Sequence, residues 1–269
     1  MTEAERFDLI LDELRQILLD LGDLSAHIVL VGGQVLALED LAEGGSGIIH
    51  VETATGVVVE RGFSMEPDLL FDTESDSAQV FGERLPQVLR ARGFVPTRGF
   101  RWSKDLAGEP MHVDLFCAPG TEGDAPASMT PLPGADLALA RAHPITVNVL
   151  DHDLTISVPD AAGFLAMKLE AKLRLRPDLA KDSFDLFTYV KKNTVAVVAQ
   201  ALARRTVPGT KIAADLRRLF ANESAPGVRD LLGYAPTLVA MERELFIREA
   251  IDLFIELERE VTRIRAGHG

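Results

Sequence analysis

Asp68, in the run Phe63-Ser-Met-Glu-Pro-Asp-Leu-Leu-Phe71, stands two places after Glu66, and carboxylates at that spacing on a strand point to one face. Such a pair suits a shared divalent cation, since hard oxygen ligands hold Mg2+ while it keeps waters and substrate phosphates. Pro67 between them donates no backbone hydrogen bond, which puts the pair near the rim of a sheet, open to solvent. Asp114 lies inside the apolar run Met111-His-Val-Asp-Leu-Phe116 and offers a third oxygen ligand. A charge buried there costs several kcal/mol unless it is paired or binds a metal. His112 shares the strand face of Asp114 and is a candidate partner for it. Asp72, Glu74 and Asp76 continue the acidic run as loop residues.

Other residues carry complementary chemistry. Gly32-Gly33 separates the apolar run His27-Ile-Val-Leu-Val31 from a helical stretch. Two glycines there let the backbone approach a phosphate, with free amides of the helix start to bind it, although a plain structural turn has the same composition. The third glycine of a dinucleotide fingerprint and the Gly-Lys-Ser/Thr of a P-loop are both missing. Lys168 and Lys172 are four apart on one helical face and repel unless an anion sits between them. Lys181-Asp182-Ser-Phe-Asp185 sets two acids three apart on a helical face, where they either serve chemistry or orient Arg174, Arg176 or a lysine by ion pairing.

The elements that must position these groups follow from periodicity. Phe7, Ile10, Leu11, Leu14, Ile17, Leu18 and Leu21 repeat at helical spacing and predict an amphipathic helix over Ala4 to Leu21. A buried strand at His27 to Val31 feeds a helix from Gln34 to Leu41; a further strand is expected at Met65 to Phe71, with a possible one at Gly56 to Glu60. Ala78 to Arg92 reads as a helix stopped by Gly93. Phe94 to Trp102 and Pro110 to Cys117 read as antiparallel strands, and Ala118 to Gly134 as a Pro/Gly/Ala/Ser loop. Two short strands fill Ile145 to Val158, and the rest is helical with breaks at Asn193, Pro208-Gly209, Ala225-Pro-Gly227 and Gly233 to Pro236. The fold class expected is α+β: a mixed sheet with flanking helices over residues 1–159, then a helical domain over 160–269.

Composition bounds the function. No apolar run approaches the roughly 20 residues that span a bilayer, and Met1 to Asp8 carries acids where a signal peptide carries bases, so the expected compartment is the cytoplasm. The single cysteine, Cys117, excludes an intrachain disulfide and reads as a core residue at the end of an apolar strand. A net charge of −13 argues against a protein that coats nucleic acid over its whole surface. Between Ala162 and Phe220, however, twelve Lys and Arg face five acids, a local +7 that suits an anionic ligand or the solvated faces of ordinary helices.

Taken in order, Gly32-Gly33, Glu66-Pro-Asp68, Asp114, Lys168 and Lys181-Asp-Ser-Phe-Asp185 resemble the nucleotidyltransferase superfamily related to DNA polymerase β. The nearest pattern is that of the toxin-type nucleotidyltransferases of abortive-infection (AbiE) and related bacterial toxin-antitoxin systems. The match spans about His27 to Val190. The resemblance implies a nucleotidyltransferase-like sheet and transfer of a nucleoside monophosphate from a nucleoside triphosphate to an acceptor hydroxyl. The acceptor would be RNA, such as a tRNA end, or a protein, and an antitoxin would be a partner; no membrane partner is implied. It implies Mg2+ or Mn2+ held by Glu66, Asp68 and Asp114, with Asp114, Lys168 and Asp182 as catalytic groups. Gly32, Gly33, Gln34, Lys168, Lys172 and Lys181 would bind the nucleotide. Members of the family usually carry Ser or Thr at the position of Gln34 and Asp at that of Glu66. Those departures keep a second expectation open, a catalytically impaired member that binds nucleotide or a protein partner through the same residues.

Overall fold

The Thr2 hydroxyl accepts from the Glu5 N–H while the Glu5 carboxylate accepts from the Thr2 N–H, and this capping box opens helix α1, Glu3–Leu21. The apolar stripe of the sequence is the buried face of that helix. The computed structural model describes residues 1–72, 78–120, 129–205 and 207–267; Glu74, Asp76 and the middle of the Ala118 to Gly134 loop lie outside them.

In chain order, α1 and a 3-10 stretch, Gly22–His27, lead to β1 (Ile28–Val31), α2 (Gln34–Ala42), β2 (Ile49–Glu52), β3 (Val58–Gly62) and β4 (Asp68–Phe71). There follow α3 (Ala78–Ala91), β5 (Val95–Arg98), β6 (Arg101–Leu106), β7 (Glu109–Cys117), β8 (Thr130–Pro131) and α4 (Ala135–Leu139). Then come β9 (His143–Val149), β10 (His152–Val158), α5 (Ala161–Glu170) and a π-helical turn, Ala171–Leu175. The chain ends in α6 (Ala180–Lys192), α7 (Val195–Ala203), α8 (Val207–Leu219), α9 (Pro226–Gly233) and α10 (Ala240–Ala266).

Two compact units form: Met1–Gly47 with Phe63–Gly163, and Ile48–Gly62 with Phe164–Gly269. The sequence reading divides the chain at 159/160 and leaves Ile48–Gly62 in the first half, whereas in the structure that segment groups with the second unit.

The first unit carries a mixed sheet in the order β5-β6-β7-β4-β1-β10-β9, with β8 pairing β7. Strand β4 runs antiparallel to β1 and parallel to β7, and β1 runs parallel to β10. Central strands covered on both faces need apolar runs, and β1 is buried along its whole length. Helix α1 packs against α3, β9 and β10, and α2 against β9 and β1. Two strand boundaries differ from the sequence reading. The strand expected from Met65 starts only at Asp68, because Pro67 has no N–H for the ladder and Glu66 sits in a bend. The strand expected over Phe94 to Trp102 turns back at Gly99-Phe100 to give β5 and β6. Cys117 is buried at the end of β7, as expected of a core residue.

The second unit is a β2-β3 hairpin packed on α6, with α10 lying along α7 and α8. Phe254 of α10 stacks on Phe220 with ring centroids 4.2 Å apart, and Phe246 meets Phe187 edge-on at 5.6 Å. Each such buried ring contributes about 1.5–3 kcal/mol by leaving water. The Pro208-Gly209 pair, read from sequence as a break, lies in the first turn of α8, where proline's missing N–H costs nothing. Among the described residues no helix is long and apolar enough to cross a membrane.

Candidate functional site

Strand register assembles the first group of side chains within the first unit. Val31 on β1 lies opposite Asp68 on β4, Asp68 opposite Asp114 on β7, and Asp114 opposite Arg101 on β6. Residues opposite one another in a ladder project to one face, so Asp68, Asp114 and Arg101 form a row across three strands. Gly32 follows Val31 with φ 77°, and a Cβ there would collide with Oδ2 of Asp68. Glycine is thus required twice over, by its left-handed backbone and by the carboxylate that fills the space of its side chain. The turn that opens α2 is in contact with the Asp68 end of the row.

Gln34, the first residue of α2, is fully buried. Its Nε2 donates to the carbonyl of Ser64 at 3.0 Å, two residues ahead of Glu66, while its Oε1 finds no hydrogen-bond partner among the described residues. No side chain caps α2, so its first amides and the positive end of its dipole stand beside the turn.

Arg101 organises the carboxylates. Its Nε donates to Asp114 Oδ1 and its NH2 to Asp114 Oδ2, both at 2.7 Å, and NH2 also reaches Glu66 Oε2 at 3.1 Å. The two-pronged bond to Asp114 outweighs desolvation and, with the charges of Asp114, Glu66 and Asp68, holds the guanidinium above its ordinary range. Glu66 and Asp114 therefore meet through a shared arginine and not through strand alternation. His112, expected near Asp114, pairs instead with Ser103 at 2.7 Å, because the β6-β7 register sets His112 opposite Ser103.

The carboxylates have the right donor chemistry for a hard divalent cation, but their arrangement does not fit one. Arg101 takes both oxygens of Asp114 and one of Glu66. Among the described residues no three His, Cys, Asp or Glu side chains are grouped to hold a metal ion.

The remaining candidates belong to the second unit and form a buried ion network there. Lys168 Nζ donates to Asp185 Oδ2 at 2.5 Å and to Asp182 Oδ1 at 3.2 Å. Arg61 of β3 binds Asp185 through Nε at 2.6 Å, and Arg176 grips Asp182 through Nε at 2.8 Å. Both aspartates have no exposed surface. Burial pushes the Asp185 carboxyl up, and Lys168 and Arg61 outweigh it, leaving it below the ordinary carboxylate value. Lys172 takes a partner of its own, Asp230 at 2.6 Å, and donates to the Pro177 carbonyl, so the repulsion expected between Lys168 and Lys172 is relieved by separate anions. Arg174 pairs with Glu170 at 3.2 Å. Lys181, half-buried, opens α6 beside Asp182.

Two participants escape the sequence reading. Arg101 is signalled only by the hairpin that folds β6 onto β7, and Arg61 lies far from Asp185 along the chain. No protein-family model matches the chain, and no curated protein matches it.

Proposed function

We propose that this chain is a nucleotidyltransferase, moving a nucleoside monophosphate from a nucleoside triphosphate to an acceptor hydroxyl. The observation that carries the reading is the contact of the Gly32 turn with Asp68, in one row with Asp114. Three motifs far apart in sequence come together in the first unit, and this supports the reading. In this reading the uncapped start of α2 and the glycine turn bind phosphate oxygens, and the orphan Gln34 Oε1 accepts from a donor on the bound nucleotide. Asp68 orients the reacting groups from the end of the row beside the glycine turn. Mg2+ or Mn2+ enters the reading from the resemblance alone. So do an RNA or protein acceptor, an antitoxin partner, toxin-like action and a cytoplasmic location.

A second reading, a catalytically impaired protein of this fold that binds nucleotide or a protein partner, is favoured by one observation. Arg101 neutralises the carboxylates on which transfer would depend. Incubation with each α-labelled nucleoside triphosphate, Mg2+ or Mn2+, and a tRNA pool distinguishes the two. Label transfer that disappears in Asp68→Ala supports transfer chemistry. Saturable nucleotide binding with no transfer under any of these conditions supports the second reading and overturns the first.

A further inference from the structure

We propose that the outer face of α10 is the contact between two copies of this chain, laid antiparallel about a two-fold axis at the level of Ala250. This surface lies wholly in the second unit and does not depend on any reading of the first.

Helix α10 buries Phe246, Ala250, Phe254, Leu257 and Val261. On the opposite side Met241, Leu245, Arg248, Asp252, Ile255 and Arg259 are all exposed. Their spacing alternates four and three, as along a coiled-coil seam, and it keeps the stripe on one side of the helix for about five turns, ~27 Å. A single exposed apolar side chain is ordinary, whereas Met241, Leu245 and Ile255 are large, exposed and share one seam.

The order of charges along the seam names the occupant. Two copies laid antiparallel pair residues that lie equally far on either side of position 250. Arg248 then meets Asp252 of the second copy, Leu245 meets Ile255, and Met241 meets the aliphatic stem of Arg259. Two-fold symmetry repeats each pair, so two opposite-charge pairs at the centre are flanked on either side by an apolar pair. Laid parallel, the same helices would set Arg248 against Arg248 and Asp252 against Asp252, so the charges admit one orientation. In the single chain Arg248 bonds Glu244, one turn earlier, at 2.7 Å through one of its five N–H donors, and Asp252 has no ion pair among the described residues. Association therefore gives Asp252 a partner without taking Arg248 from Glu244. Charged pairs at seam positions fix register at a cost in stability, and a single helix pair is a small interface, so the dimer is a weak one.

The test is sedimentation equilibrium of the full-length chain from about 5 to about 500 µM, which brackets the dissociation constants of small interfaces. The unaltered chain is expected to pass from monomer to dimer across that range. Arg248→Asp and Asp252→Arg each place like charges at the centre and weaken the dimer about tenfold or more. An equimolar mixture of the two variants restores it, because each copy then meets the opposite charge at both positions. Leu245→Ser, at an exposed position, weakens the dimer as well and takes the place of a charge variant that does not fold. A monomer at every concentration overturns the proposal; so does a dimer that these variants leave unchanged, since it then uses another face. Loss in both charge variants that mixing does not restore overturns the antiparallel pairing and the proposal with it.

Discussion

Gly32 is tied to Asp68 by a backbone that bulkier residues resist and by a collision that any Cβ would make. Gly32→Ala is therefore expected to lose about 1–2 kcal/mol from the left-handed backbone alone, and more from displacing Asp68, as measured by urea unfolding. Lys168 poses a different residue-scale problem, because Asp182 and Asp185 have no exposed surface. Lys168→Met leaves both carboxylates short of a cation and should cost about 3–5 kcal/mol. The sign of the pH dependence follows from Asp185, whose folded value lies below its ordinary one. Its contribution is full above about pH 4 and is lost as the pH falls through the depressed folded value, because protonation then favours the unfolded chain. An acid titration of stability should show this loss in the unaltered chain and a smaller one in Asp185→Asn.

At the scale of elements, the strands that carry acids were legible and their partners were not. Alternation and apolar runs mark β1, β4 and β7, yet nothing along the chain says that β4 joins β1 to β7. Arg101 was missed for a narrower reason. Ala107 and Gly108 both have positive φ, the signature of a two-residue turn of type I′, and counting outward from them pairs Arg101 with Asp114. A first strand read as ending at Trp102 and a second as starting at Pro110 leave a wider turn that hides that pairing, since hairpin register depends on loop length. Pro208-Gly209 misled in the opposite sense. Proline is tolerated in a first helical turn, and Gly209 is there because a Cβ would strike the carbonyl of Leu202 on α7. Gly209→Ala should push α8 off α7 and cost about 1–3 kcal/mol, visible as a lowered thermal midpoint.

For the whole molecule, the charge pattern reads differently once side chains are placed. The basic stretch over Ala162 to Phe220 suggested a surface for an anion, but Lys168, Lys172, Arg176, Lys211 and Arg218 are engaged by carboxylates of the second unit. The excess positive charge mainly serves buried or bordering acids, a distinction that requires the tertiary structure. In the first unit Arg101 binds Asp114 and Glu66, and Arg92 and Lys104 bind Glu13. The cluster of Asp182 and Asp185 is buried except at Arg176, and the cluster of Arg101 is open at its rim. The measurement that bears most directly on the proposed function is transfer of label from α-labelled nucleoside triphosphates to a tRNA pool by the unaltered chain and by Asp68→Ala. The account predicts transfer by the unaltered chain and none by Asp68→Ala; equal transfer by Asp68→Ala, or none by either, would contradict it.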